Sequence, residues 1–160
     1  GYDSGNLSVE FSTDATLFVG GTDRGWGARG GKPFALQRTR WKGKTPFEIQ
    51  TMKIRPDGFD LHFTQPLNVT IASDPSSYSM ETYTYIYQSA YGSPEVDQSS
   101  PVIQSATVSE DGTTVRLKID QLQVGHVHEL KLSEIITQSG ELLWNPVAYY
   151  TLNEIPKSVL

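Results

Sequence analysis

The chain has 160 residues, of which 37% are hydrophobic and 11% aromatic, and its formal net charge is -5. This composition is typical of a folded domain rather than a disordered chain, and the length suffices for one substantial core. The acidic balance argues against nucleic acid as a partner, because phosphate binding needs a positive surface. The absence of cysteine excludes disulfides, thiolate metal sites and thiol nucleophiles. We expect no cofactor.

No apolar run approaches the roughly 20 residues needed to cross a bilayer, so we predict no membrane span. The N-terminus carries no signal-peptide pattern. Because the chain begins at Gly1 rather than at Met, we interpret it as a processed or excised piece of a longer protein. A missing leader therefore does not indicate the cytoplasm.

The predicted elements are almost all strands, because period-2 alternation of apolar residues recurs about every ten residues. We predict strands at residues 7–11, 16–20, 34–41, 47–54, 59–64, 77–88, 102–109, 113–119, 126–132 and 147–152. Single helical turns are expected at 68–72 and 132–136. A glycine-rich loop is predicted at 20–31, and residues 88–101 read as a long irregular excursion between strands.

One turn motif occurs twice along the chain. An Asp-Gly pair at Asp57 and Gly58, and another at Asp111 and Gly112, each separates two segments of alternating apolar residues. Asp-Gly supplies the positive φ angles that a tight hairpin needs. We therefore predict two β-hairpins that belong to one antiparallel core.

These elements predict an all-β chain with an immunoglobulin-like antiparallel β-sandwich. Residues 44–153 hold roughly seven strands, which is the number such a sandwich needs. Residues 1–43 are predicted to form a β-rich N-terminal extension with the glycine-rich loop, which holds too little to bury a core alone. Residues 154–160 read as a tail that leaves the domain.

Two parts of the chain resemble known families. Residues 111–152 resemble the closing strands of bacterial immunoglobulin-like domains, with a hairpin, the pattern Leu-x-x-Gly-x-x-His-x-Leu at 122–130, a glycine turn and a tyrosine-containing last strand. Residues 59–67 resemble the second strand of such domains. Residues 17–27, Leu-Phe-Val-Gly-Gly-Thr-Asp-Arg-Gly-Trp-Gly, and 31–38 are similar to the last propeller blade of large secreted bacterial glucose/sorbosone dehydrogenase-like proteins.

The resemblance implies a non-catalytic accessory module of a secreted bacterial multidomain protein, located outside the cell, in the periplasm or at the cell surface. Its partners would be other domains or chains of the same parent protein. Full-length relatives carry a six-bladed propeller and often a cytochrome domain, whereas this chain has neither the other blades nor a cysteine. By itself it is therefore not expected to be an enzyme.

The glycine-rich loop is the first candidate for a binding surface. It carries Asp23, Arg24, Trp26 and Arg29, and Trp and Arg are residue types that anchor interfaces. Glycines also let another chain approach the backbone closely. The alternative is that Trp26 fills a domain junction while the arginines pair with nearby acids.

A ladder of tyrosines is the second candidate. Tyr83, Tyr85 and Tyr87 alternate along one predicted strand, and Tyr91 and Trp144 would extend the platform. Flat rings with polar edges suit sugars, so polysaccharide is a possible partner and carbohydrate binding an alternative function. We favour packing of the ladder on the buried inner face, or across strands on the outer face.

Metal binding is the third possibility considered. His126 and His128 share a strand face, and His62 would be a third ligand if its strand lay beside them, which would suit a metal-dependent enzyme. Glu95 and Asp97 lie in the excursion and could supply oxygens to calcium. We favour ordinary roles, with the histidines as polar cross-strand partners and the acids in a solvated loop.

Overall fold

Eleven β-strands in three antiparallel sheets make up most of the regular structure in the computed structural model, which describes residues 1–23 and 30–157. This confirms the all-β, immunoglobulin-like expectation. The chain separates into two compact units, Gly1–Thr45 and Pro46–Leu160.

The first unit is a three-stranded sheet of β1 (Asn6–Phe11), β2 (Leu17–Thr22) and β3 (Phe34–Thr39), in the order β1-β2-β3. The turn between β1 and β2 depends on Asp14. The Thr16 N–H donates to Asp14 Oδ1 over 3.1 Å, and the Ser12 hydroxyl also donates to it. These hydrogen bonds, from Ser12 first, lower the pKa of Asp14 to about 2.

This small sheet leaves large apolar side chains uncovered. In the described residues of the first unit, 1–23 and 30–45, Val19 is the one buried large apolar side chain. Six others are between 62% and 77% exposed: Leu7, Val9, Phe11, Phe34, Leu36 and Trp41. They are divided between the two faces of the sheet, with Val9 and Phe11 on the face of Val19, and Phe34 and Leu36 on the other. Large apolar side chains exposed on both faces of a sheet are unusual for an isolated domain.

The second unit is a sandwich of two four-stranded sheets. The first sheet contains β4 (Ile49–Arg55), β5 (Gly58–Phe63), β8 (Ile103–Val108) and β9 (Thr114–Ile119), in the order β4-β5-β9-β8. Both Asp-Gly hairpins therefore lie in one sheet, and β5 pairs with β9 at its centre. The prediction of two hairpins in one antiparallel core is confirmed.

The second sheet contains β6 (Tyr78–Tyr85), β7 (Glu95–Ser99), β10 (His126–Leu132) and β11 (Val147–Leu152), in the order β11-β10-β6-β7. The chain crosses from the first sheet through α1 (Val69–Ala72) and a 3₁₀ turn (Pro75–Ser77). Asn68 caps α1, because its Oδ1 accepts from the Ile71 N–H over 3.2 Å.

Alternation places one side of each sheet in the core. The largest fully buried side chains are aromatic or aliphatic residues from both sheets and their connections, and they include Phe47, Phe59, Leu61, Phe63, Leu67, Val115, Leu117, Leu130 and Leu152. The residues that alternate with them along each strand point outward. The sandwich thus presents two outer sheet faces.

Two predictions on the elements are wrong. Residues 88–101 were expected to be irregular, yet β7 lies within them and pairs with β6. A helical turn was expected at 132–136, but β10 continues to Leu132, and Ile136 forms a β-bridge with Leu142. The helical turn expected at 68–72 is confirmed as α1.

Candidate functional site

Two of the predicted tyrosines, Tyr83 and Tyr85, lie on the outer face of the second sheet. This face presents the outward side chains Ser79, Glu81, Tyr83, Tyr85, Glu95, Val127, Glu129, Lys131, Val147, Tyr149 and Thr151, which follow from strand pairing and alternation. We call it the tyrosine–glutamate face. It combines three tyrosines and three carboxylates with a single lysine.

Lys131 neutralises the middle of the tyrosine–glutamate face. Glu81 and Glu129 are directly paired across β6 and β10, and like charges in such a position repel. The Lys131 Nζ lies 3.2 Å from Glu81 Oε2 and 3.3 Å from Glu129 Oε1. Hydrogen bonds to Glu81 first, and then to Glu129, raise the pKa of Lys131.

Tyr83 and Tyr85 pack against each other on this face. Tyr83 is buried, and its hydroxyl donates to Glu129 Oε2 over 3.5 Å. The two rings have centroids 5.6 Å apart and planes at 82°, so they are not coplanar. Burial raises the pKa of Tyr83. Beside them lies a cavity of about 210 Å³, lined by Glu81, Thr82, Tyr83, Glu95, Gln98, Ser99 and Ser100.

The remaining predicted aromatics lie elsewhere. Tyr87 follows the end of β6, Tyr91 lies in the loop before β7, and both are fully exposed. Trp144 is exposed in the segment before β11, where its backbone N–H donates to the Phe47 carbonyl oxygen over 3.3 Å. Among the described residues, no ring contact includes any of these three.

The glycine-rich loop can be followed only in part. Arg24, Trp26 and Arg29 lie outside the described residues. Asp23 is exposed, and its N–H donates to the Pro33 carbonyl oxygen over 3.0 Å.

The structure does not bring the three histidines together. His62 points outward from the first sheet, where its Nδ1 lies 3.1 Å from Thr114 Oγ1. His126 and His128 lie on the inward side of β10 in the second sheet, and His128 is fully buried. Within residues 1–23 and 30–157, no group of three or more His, Cys, Asp or Glu could hold a metal ion.

The two predicted calcium ligands also have separate surroundings. Asp97 has a φ of 55° and contacts His126, with Oδ2 and Nε2 2.9 Å apart. Glu95 is paired with Tyr85 and lines the cavity beside it. The two carboxylates therefore have different neighbours, His126 for Asp97 and Tyr85 for Glu95.

A buried polar cluster escaped the sequence analysis. Thr82 Oγ1, Ser99 Oγ and Gln123 Oε1 lie within 2.6 to 2.8 Å of one another. The Gln123 N–H donates to His128 Nε2 over 3.4 Å, while Nδ1 of that ring is buried without a partner. Burial lowers the pKa of His128. The only hint in the sequence was a polar residue at an inward position of a strand.

The outer face of the first sheet was also missed. It presents the side chains Thr51, Lys53, Arg55, Asp60, His62, Ser105, Thr107, Thr114, Arg116 and Lys118, and we call it the cationic face. Asp60 accepts from Arg55 Nε over 2.6 Å and from Arg116 Nη1 over 3.1 Å. Two shallow depressions of about 480 and 420 Å³ share Arg55, Asp60 and Thr114.

Comparisons with known proteins show a likeness at the level of fold. No protein-family model matches the chain, and no curated protein matches it. The crystal structure of the S-layer protein rSbsC(31-844) is similar, with a TM-score of 0.52 and 20% identity over 71% of this chain and 15% of that one. The crystal structure of the N-terminal part of the bacterial S-layer protein SbsC is also similar, with a TM-score of 0.52 and 18% identity over 68% of this chain and 24% of that one.

A structure of domains 1–6 of surface layer protein SbsC gives a TM-score of 0.53 and 20% identity, over 71% of this chain and 15% of that one. The chain thus spans about a seventh to a quarter of the length of these proteins. At such identities the likeness shows the fold alone.

The resemblance to glucose/sorbosone dehydrogenase-like propeller proteins is therefore wrong. The similar solved structures are S-layer proteins, and the three sheets of the described residues do not close into a propeller. The motif misled because a glycine-rich segment joins paired strands in an open sheet as well as in a propeller blade, and β2 and β3 are paired in such a sheet. Among the described residues, no helix is long and apolar enough to cross a membrane.

Proposed function

We propose that this chain is a non-catalytic structural and assembly module of a secreted or cell-surface bacterial protein. Its partners are other domains or chains of the same parent. The observation that carries the proposal is that large apolar side chains are exposed on both faces of the three-stranded sheet, because exposed groups of apolar side chains on a protein surface mark interaction sites.

The fold comparison supports the same role. The similar structures are described as bacterial S-layer or surface layer proteins, and the match covers a fraction of each that is the size of one or two domains. A module of this kind holds its neighbours in place and needs no reaction chemistry.

A sugar-binding role finds less support in the observed geometry. A platform for sugars needs flat rings in one plane, whereas the Tyr83 and Tyr85 planes are at 82°. Tyr83 is buried, and its hydroxyl donates to Glu129, which is also paired with Lys131.

The test removes apolar surface from the edge strand β3. Phe34 and Leu36 are two apart on this strand, so their side chains share one face of the sheet. We expect the wild-type chain to self-associate in sedimentation velocity at about 1 M salt, where the Debye length is about 3 Å. The double variant Phe34→Ser/Leu36→Ser should sediment as a monomer.

The matched control is Gln50→Ser/Gln104→Ser, at exposed polar positions of the sandwich. It should associate like the wild type. A wild-type chain that stays monomeric at every concentration, with or without the two apolar residues, would contradict the proposal.

A further inference from the structure

We propose that the cationic face of one copy of the chain binds the tyrosine–glutamate face of a second copy. This inference rests on the proposed assembly function and specifies a second contact, distinct from the apolar sheet. The two faces lie on opposite sides of the sandwich, so copies joined in this way follow one another head to tail.

The charges of the sandwich unit are divided unevenly between its two faces. Residues 46–160 contain six Lys or Arg and fourteen Asp or Glu. Four of the six cations, Lys53, Arg55, Arg116 and Lys118, nevertheless point outward from the first sheet. A strongly acidic unit therefore carries one cationic face.

The cationic face is held in place by its own acids. Asp60 binds both Arg55 and Arg116, and Asp57 binds Arg116 as well as Lys118, the latter over 3.8 Å. These pairs fix the two guanidinium groups before any partner arrives, which lowers the ordering cost of binding. Lys53, which is exposed, and Lys118, which is exposed and has the longest of these ion pairs, are the cations placed to meet a partner's carboxylates.

The tyrosine–glutamate face has the complementary chemistry. It carries Glu81, Glu95 and Glu129 against the single cation Lys131, and Tyr149 is 61% exposed. Carboxylates accept hydrogen bonds from Arg and Lys, and tyrosine rings attract cations over their faces. Tyr and Arg are also the residues most enriched at protein interfaces.

Charge decides the arrangement of the copies. Two cationic faces would repel each other, and so would two tyrosine–glutamate faces, so symmetric dimers through either face are disfavoured. Contact between unlike faces is heterologous, and it leaves one face of each type free at the ends. Such contacts extend into open chains unless the rotation closes a ring.

The contact is small and therefore weak. Four strands about 4.8 Å apart, each with about six residues rising about 3.3 Å, give a face of roughly 400 Å². The total buried area of about 800 Å² is below the 1,200 Å² of a standard interface. We expect weak, salt-dependent association that is strengthened where many copies are held together.

The experiment uses two reversed-charge variants of the full chain. Both are made in the Phe34→Ser/Leu36→Ser background, so that the apolar sheet does not contribute. Lys53→Glu/Lys118→Glu reverses the cationic face, and Glu81→Lys/Glu95→Lys reverses the tyrosine–glutamate face. The control, Glu110→Lys/Glu154→Lys, changes two exposed acids that belong to neither face.

At low salt, sedimentation velocity should show that the background protein and the control self-associate. Each reversed variant alone should self-associate with an affinity at least tenfold lower. Mixing the two variants should restore association, because each retains the face that the other lacks. The product should contain the two variants in equal proportion, because neither variant associates with itself.

No complex in the mixture, or a complex with unequal proportions of the two variants, would overturn the head-to-tail contact. Unchanged association of either variant alone would overturn it as well. If the wild type associates at high salt through Phe34 and Leu36 while the mixture stays monomeric, the assembly function stands and this contact fails. Thermal unfolding of each variant checks that it is folded.

Discussion

The imidazole of His128 lies edge-on to the ring of Phe59 inside the sandwich, with the ring centroids 5.6 Å apart. One ring belongs to β10 and the other to β5, so the contact joins the two sheets. It buries a titratable group where the charged ring costs much more than the neutral one.

Acid is expected to destabilise the sandwich through His128. Burial lowers the pKa of this ring, while in the unfolded chain it titrates near 6.5. The unfolded state therefore binds the proton more readily, so the stabilisation is complete above about pH 6.5 and is lost as pH falls toward the folded-state pKa. His128→Leu should flatten the fall of the unfolding free energy between about pH 7.5 and about pH 5. Equal pH slopes in urea titrations of the two proteins would refute this.

Gly58→Ala is expected to cost about 2–3 kcal/mol of unfolding free energy. Gly58 has a φ of +152°, and a Cβ there would overlap the Leu117 carbonyl oxygen on β9. The control is Gly112→Ala at φ +72°, where the nearest atom to a Cβ is Pro66 Cβ at 3.5 Å; it should cost only about 1–2 kcal/mol. Urea unfolding measures both, and equal losses would show that the close approach of β5 and β9 is unimportant.

Leu117→Ala should destabilise the sandwich by about 2–5 kcal/mol, because Leu117 is fully buried on the central strand β9. Thr107→Ala, on the neighbouring strand but pointing outward, should change stability by less than about 0.5 kcal/mol. The comparison tests which side of the first sheet faces the core. A small effect of Leu117→Ala would contradict the assignment.

Asp111 should contribute to stability in acid. Hydrogen bonds from Ser109 first, and then from Thr113, lower its pKa to about 2 from the ordinary 3.8. This stabilisation is present above about pH 3.8 and is lost as pH falls through about 2. Asp111→Asn, which keeps an acceptor oxygen but no charge, should unfold with a weaker pH dependence in this range. Circular dichroism at graded acid pH is the measurement.

The hairpins and the core were predictable because their signals are local. Asp-Gly turns with alternating Phe59, Leu61 and Phe63 specify both a turn and a buried face. The strand β7 was missed because its residues, Glu95 to Ser99, are polar and bounded by Ser-Pro pairs, which are typical of loops. An edge strand needs no buried residues of its own, so periodicity could not reveal it.

The surfaces were less predictable, because they depend on which strands become neighbours. The sequence allowed His62 and His126 to ligate the same metal ion, but their strands, β5 and β10, belong to different sheets. Tyr83 was favoured for the inner face or for cross-strand packing, and it lies on the outer face yet is buried by its neighbours. The cationic face arises only when Lys53 and Lys118, distant in sequence, lie on the same sheet.

The left-handed backbone of Asp97 alters one of the edges of the second sheet. It interrupts the regular pairing of β7 at the free margin of the second sheet, where the register with β6 also shifts. A margin of this shape, carrying two acids, cannot serve as a template for a further strand. Extension of the second sheet by a further strand, as in amyloid, is therefore disfavoured at this side.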